Sequence, residues 1–303
     1  MLRHVTTVII VAAMVLAVSN AFAYEFWDGA ISIDSVSNNQ YLNVTTAGSD
    51  DSWYEVASYP HAVVNGVTVN ADPATPGTGY GNLHLHTDAM AMFFKYDSSK
   101  ATFLMISGMP RAGVEARQWY GERKFGPGDL KIDVNGLTYG IGMRDGGLRW
   151  DMYDAPHQAI HEAASGAIAQ NQSVRDTGNM GQIKLNPDWY HVDNPSVFGV
   201  DKAYAFFDAA SGTSAGAAEV NIWETDILLG EDPNPISLYA YEVVVPWSTI
   251  GFATGDISLT ASWRTDCGND IIKKTFIAEL PEPGSLIAIL TGLIGFIGYK
   301  RRR

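Results

Sequence analysis

Between Ile257 and Arg264 the residues run Ile-Ser-Leu-Thr-Ala-Ser-Trp-Arg, apolar and polar in strict alternation. Successive side chains of a strand point to opposite faces, so this period of two puts Ile257, Leu259, Ala261 and Trp263 against a core and their neighbours toward water. An amphipathic helix would need apolar spacings of three and four instead. Val63-Val64-Asn65-Gly66-Val67-Thr68-Val69 sets Asn-Gly between two β-branched runs, the strongest short-range signal of a two-residue hairpin. Met90 to Tyr96 and Thr102 to Ser107 flank Asp97-Ser98-Ser99-Lys100 as a second expected hairpin. Further strands are expected at Lys131 to Val134, Tyr139 to Met143, Ala203 to Asp208, Val220 to Leu229 and Leu238 to Val245. Pro246 closes the last of these, because proline cannot donate to a ladder.

Only Pro156 to about Gln170 argues for a helix, with proline suited to the first turn and alanines favouring continuation. The Gly/Ser/Ala-rich run Ala209 to Ala218 reads as a flexible loop or hairpin tip. No repeat of fixed period is visible. The expected fold is all-β, a single antiparallel β-sandwich over residues 24–280, jelly-roll-like in size, with one short inserted helix.

The two ends read differently from this body. Arg3 and His4 precede an apolar run from Val5 to Val18, and Ala21-Phe22-Ala23 supplies the small residues of a cleavage site, so residues 1–23 are expected to be a signal helix read by the Sec machinery and signal peptidase. Setting aside Arg3, Glu282, Lys300, Arg301, Arg302 and Arg303 reduces the 20 cations and 33 anions to 15 and 32, a formal charge near −17 for residues 24–280. Such a surface repels nucleic acid and anionic lipid, and nucleic acid is excluded as a partner. Cys267 is the single cysteine, so no internal disulfide forms and stability must come from the core.

The sequence offers several candidates for chemistry. On a strand, His84, His86 and Asp88 would share a face, two imidazoles and a carboxylate within reach of one zinc ion; the plainer reading is a polar strand edge. Their spacing resembles the His-x-His-x-Asp part of the metallo-β-lactamase motif, with Ala89 where that motif has another His. His157 and His161 have the spacing of a helical zinc pair, with Gln158 where the zincin motif has Glu, or else border a half-buried helix face. Asp129, Asp133 and Asn135 could offer oxygens to calcium or serve as turn residues. Glu115, Glu122, Glu219 and Glu242 lie near aromatics, but no spacing marks any two as the acid pair of a glycosidase. No cofactor is expected. Nucleophile-elbow, phosphate-loop and dinucleotide-binding patterns are absent. Trp119-Tyr120 and Trp189-Tyr190 are adjacent aromatic pairs in loop-like sequence, and exposed rings of this kind pack against the C–H faces of sugars; as core residues they would do no such thing.

The C-terminal run, residues 281–303, joins Pro281-Glu282-Pro283, an apolar stretch from Leu286 to Tyr299, and Lys300-Arg301-Arg302-Arg303. In that order it resembles the PEP-CTERM sorting signal of exosortase substrates. A fourteen-residue helix rises about 21 Å, short of the roughly 30 Å hydrocarbon core, which favours an address over a permanent anchor. The resemblance implies a Gram-negative bacterium, a transmembrane sorting helix held transiently in the inner membrane, recognition by an exosortase, and release to the cell surface or extracellular matrix. Leu104 to Pro110, Gly126 to Asp133 and Tyr139 to Gly142 look like the strand-and-turn order of exported β-sandwich proteins that carry this tail. Tyr241-Glu242-Val243-Val244-Val245-Pro246-Trp247 is similar to the late strand of carbohydrate-binding and DOMON-like sandwiches. The expected function is thus a non-catalytic surface or matrix protein associated with exopolysaccharide, the alternative being a secreted metal-dependent or glycoside-cleaving hydrolase.

Overall fold

The computed structural model describes residues 24–26, 31–36, 41–46, 53–56, 61–64, 67–70, 89–115, 124–145, 149–150, 159–162, 168–170, 174–175, 178–192, 203–229, 236–252, 255–265 and 271–280. These residues form twenty-four strands in five sheets and one short 3-10 helix, Trp247–Ile250. The strand pairings are antiparallel except one, where Tyr41–Thr46 runs parallel to His61–Val64. The described residues are therefore almost entirely β, consistent with the all-β fold that the alternation predicts.

Two sheets organise the core. The first has the order Glu219–Leu229, Ile236–Pro246, Lys100–Ser107, Ala89–Tyr96, Trp53–Val56. The second has six strands, in the order Thr213–Ala217, Gln182–Leu185, Leu137–Ile141, Leu130–Val134, Gly255–Arg264, Ile271–Leu280. One face of each contributes to a single buried cluster: Met92, Phe94, Phe103, Met105, Tyr241 and Val243 from the first, Ile132, Tyr139, Leu259, Trp263 and Phe276 from the second. Phe94 stacks on Phe276 with ring centroids 4.5 Å apart, and Trp263 packs 5.3 Å from Tyr241. Each buried ring of this size contributes about 1.5–3 kcal/mol relative to exposure. Their polar atoms are paired: Trp263 Nε1 donates to the Gly128 carbonyl at 3.0 Å and the Tyr241 hydroxyl donates to the Met109 carbonyl. The alternation in 257–264 thus becomes burial of Ile257, Leu259, Ala261 and Trp263.

Local turn chemistry sets the registers. Val64 pairs with Val67, the antiparallel pairing that the expected hairpin requires. At the second hairpin Asp97 Oδ1 accepts from the Ser99 amide at 2.7 Å, the Ser99 hydroxyl at 2.6 Å and the Lys100 amide at 3.0 Å, closing the turn between Ala89–Tyr96 and Lys100–Ser107. Asn135 and Gly136 both take positive φ, 50° and 76°, which the tight turn between Leu130–Val134 and Leu137–Ile141 requires.

A buried polar cluster ties the six-stranded sheet to its neighbours. Asp129, 1% exposed, accepts five hydrogen bonds. Met143 N (3.0 Å) and Arg144 Nε (3.2 Å) donate to Oδ1, while Arg144 Nη2 (3.2 Å), Asn179 Nδ2 (2.7 Å) and Phe207 N (3.1 Å) donate to Oδ2. The Arg144 guanidinium also lies 4.4 Å over the Phe206 ring. Gly142 makes this approach possible, since a Cβ there would fall 1.9 Å from the Asn179 carbonyl oxygen.

Two expectations are corrected. Among the described residues of the helix expected from Pro156 to Gln170 none is helical: Ala159–Glu162 and Ile168–Gln170 are strands that pair antiparallel, Ile160 opposite Gln170, and Ala159–Glu162 also pairs with Trp189–Val192. Helix propensity is a weak prior that tertiary context overrides, here through ladders on both sides of Ala159–Glu162. Within the run expected to be a loop, Thr213–Ala217 forms a strand on Gln182–Leu185. Its small residues carry no alternation, so nothing local announced it. The signal helix 1–23 and sorting helix 281–303 lie outside the described residues. Among the described residues no helix is long and apolar enough to cross a membrane.

Candidate functional site

The outer face of the five-stranded sheet changes character along its strands. In Ile236–Pro246 the odd residues Tyr241, Val243 and Val245 enter the shared core, so Leu238, Ala240, Glu242 and Val244 point the other way. The register then aligns three rows across four strands. Trp223, Ala240, Ile106 and Ala91 form the first; Asn221, Glu242, Leu104 and Phe93 the second; Glu219, Val244, Thr102 and Lys95 the third. The first row and the inner half of the second belong to a buried cluster with Ile31 and Ile33 of the strand Ile31–Val36. Beyond that cover the face turns polar: Glu219 and Asn221 are exposed, and Glu242 and Lys95 are half-buried.

Two open grooves border this half, and both are lined by Glu242. One, about 700 Å³, wraps the edge strand, with Asn221 and Trp223 on the outer face and Glu224 on the other, and reaches Arg111. The other, about 470 Å³, is bounded by Lys95, Tyr96, Asp97, Lys100 and Glu219. The Asn221 amide links the two carboxylates, with Nδ2 3.1 Å from Glu219 Oε1 and 3.5 Å from Glu242 Oε2. Arg111 is held by Asp145 through two parallel contacts, Nε to Oδ2 and Nη2 to Oδ1 at 2.9 Å. Each partner stabilises the other's charge: the hydrogen bonds donated by Arg111 lower the Asp145 carboxyl below the usual carboxylate range, and the accepting carboxylate raises Arg111. At the other groove the Ser99 hydroxyl and amide lower Asp97. Burial, with Glu224 nearby, raises the Tyr239 phenol. Carboxylate, amide, ammonium and hydroxyl groups on an open surface beside an indole suit a hydroxylated ligand, which needs donors, acceptors and an apolar ring face together.

The residues singled out in the sequence fall elsewhere or only partly here. Trp119, Tyr120, His84, His86, Asp88, His157, Glu122 and Cys267 lie outside the described residues. Trp189 and Tyr190 do not form a loop platform. They begin the strand Trp189–Val192, are 4% and 8% exposed, and pack on Phe207 (centroids 5.8 Å) and Phe206 (5.0 Å). Their faces are spent on the core, and burial raises the Tyr190 phenol. His161 sits on a strand opposite Tyr190, not on a helix, so its expected spacing with His157 has no helix to act through. Asp129 is engaged by five N–H donors rather than turned toward a cation site. Asp133 pairs with Lys131 and accepts from the Thr138 hydroxyl at 2.6 Å. Among the described residues no three His, Cys, Asp or Glu side chains are gathered as a metal set. Of the four glutamates named earlier, Glu219 and Glu242 do meet. The sequence pattern could place Glu219, Asn221 and Trp223 on one face of a strand, but only the pairing of Asn221 with Glu242 brings them to a common site. No protein-family model and no curated protein matches the chain, so this open half-face is where a functional reading has to start.

Proposed function

We propose that this chain is an exported, non-catalytic β-sandwich protein, sorted by an exosortase and retained at the cell surface or in the extracellular matrix by contact with exopolysaccharide. The observation that carries the binding role is the polar half of the five-stranded sheet, where exposed Glu219 and Asn221 and half-buried Glu242 and Lys95 stand in register beside Trp223. Sugar hydroxyls exchange hydrogen bonds with such groups, and an indole covers the C–H face of the ring. Two sheets packed through one cluster support the sandwich reading. The route rests on the expected signal sequence 1–23 and on Pro281, Glu282, Pro283 and the basic end Lys300 to Arg303.

Sorting and binding are tested separately. Deleting the host exosortase is expected to leave a longer, membrane-bound form in the cell; unchanged size and location would overturn the sorting role. Retention of the full-length chain on the host's own exopolysaccharide should fall in Asn221→Ala and Glu242→Ala and persist in Asp256→Asn, which changes an exposed residue of the six-stranded sheet. Equal retention in all three would sink the binding role. A glycoside-cleaving reading draws on the single amide shared by Glu219 and Glu242. Release of reducing ends from that polymer, abolished in Glu242→Gln, would put it in place of the non-catalytic one.

A further inference from the structure

We propose that the strand Ile271–Leu280 joins two copies of this chain, pairing antiparallel along its outer edge with the same strand of a second copy, centred on Phe276. The strand closes one side of the six-stranded sheet, and its inner edge pairs with Gly255–Arg264 over its whole length. An open edge presents a row of backbone donors and acceptors, and sheet proteins blunt it with short strands, bulges or charges. The other outer strands of the two core sheets are blunted in these ways. Glu219–Leu229 has a register shift between Glu224 and Leu228, Thr213–Ala217 is 5 residues long and Trp53–Val56 is 4. Ile271–Leu280 runs 10 residues without a shift or a proline. Its outward side chains are Lys273, Thr275, Ile277 and Glu279, all exposed, and Ile277 at 69% is the most exposed large apolar residue among those described.

Charge and register name the occupant. Glu279 lies directly opposite Asp256 on the neighbouring strand, two exposed carboxylates side by side, an arrangement that a cation relieves. Lys273 forms no ion pair among the described residues. The Glu279 amide donates outside the ladder, to the Tyr96 hydroxyl at 3.1 Å, so by alternation Lys273, Thr275 and Ile277 also turn their N–H and C=O groups to the outer edge. Pairing about Phe276 sets Thr275 against the second copy's Ile277, exchanging two backbone hydrogen bonds, and Lys273 against its Glu279. That outer pair adds one backbone bond, from the Lys273 N–H to the Glu279 carbonyl, because the Glu279 amide keeps Tyr96. The two-fold axis makes each contact twice. A slip of two residues either way separates Lys273 from Glu279, and a slip of one sets outward side chains opposite inward ones. The strand is thus complementary to itself in one register.

Sedimentation velocity of the full-length chain in detergent should show a dimer. Lys273→Glu and Glu279→Lys should each weaken it by about tenfold, since like charges then face one another twice, and the double variant should restore it. Register is read by cysteine cross-linking on a Cys267→Ser background. Lys273→Cys chains mixed with Glu279→Cys chains should form a disulfide, because directly opposed Cα atoms lie about 5.5 Å apart. Neither should cross-link alone, since about 20 Å of strand separates the like positions. Near-ultraviolet circular dichroism checks that each variant is folded. A monomer at all concentrations, a dimer whose mixed chains give no cross-link, or a double variant as weak as the single ones would each overturn the proposal.

Discussion

Asp129→Asn keeps the outline of the buried side chain and removes its charge, which makes it a sharp test of how the described sheets are held together. The native carboxylate faces donors on both oxygens: two N–H groups on Oδ1 and three on Oδ2. An asparagine has one acceptor oxygen, so whichever way the amide turns, its own N–H₂ confronts two or three donors. Arg144, 3% exposed, keeps its charge and loses its counter-ion. Removing one partner from a buried pair costs about 3–5 kcal/mol, a large part of the 5–15 kcal/mol typical of a whole domain. In a chain of this size that corresponds to a fall in Tm of roughly 6–20 °C. Thermal melts followed by near-ultraviolet circular dichroism, with urea midpoints as a second measure, read it directly. A companion variant, Asp129→Leu with Arg144→Met, should recover only part of the loss, because the Asn179 amide and the Met143 and Phe207 N–H groups keep no acceptor. A loss below about 1 kcal/mol for Asp129→Asn would refute the reasoning, since that is the scale of one ordinary hydrogen bond.

Further outcomes follow from the same geometry. Gly142→Ala should destabilise by at least about 1–3 kcal/mol in the same melts, the range for overpacking, because its Cβ would meet the backbone oxygen of Asn179 and not a flexible side chain. Asp97 and Asp145 have folded-state values below their unfolded ones, so their stabilisation is present above the unfolded carboxylate range near pH 4 and is lost as pH falls through the folded values. Urea midpoints should therefore drop on acidification, less steeply in Asp97→Asn and Asp145→Asn, and an unchanged slope in both would contradict it. Trp189→Ala should cost about 3–5 kcal/mol in stability, whereas a folded Trp189→Phe should keep polysaccharide retention; loss of retention in the folded Phe variant would return this ring to the binding role.

Where the chain's own chemistry is local, the sequence was legible. Val64 pairs with Val67, as the Asn-Gly signal between them requires, and Asp97 closes its turn through contacts within three residues. Trp263 is buried as its alternation requires. Two segments were misread for one reason. Ala159–Glu162 carries residues that tolerate a helix, and Thr213–Ala217 carries none that favour a strand, yet both become strands because a neighbour far along the chain offers a ladder. The sequence left the pair Trp189-Tyr190 open between exposed platform and core for the same reason, since a ring is exposed or buried according to what packs on it, here Phe207 and Phe206.

The candidate face divides along the same line. Period-two patterning by itself pointed to an all-β fold whose strands bury one face, while in Ile236–Pro246 the packing assigned Tyr241, Val243 and Val245 to that face. It could not say whether the opposite face was covered, because cover comes from Ile31 and Ile33, two hundred residues away in sequence. Tertiary structure decided that the cover stops short of the polar rows, and that Asn221 stands between Glu219 and Glu242. Strand order and register are global choices, made where the most apolar surface is buried and every ladder is paired, and no window of neighbouring residues contains that information.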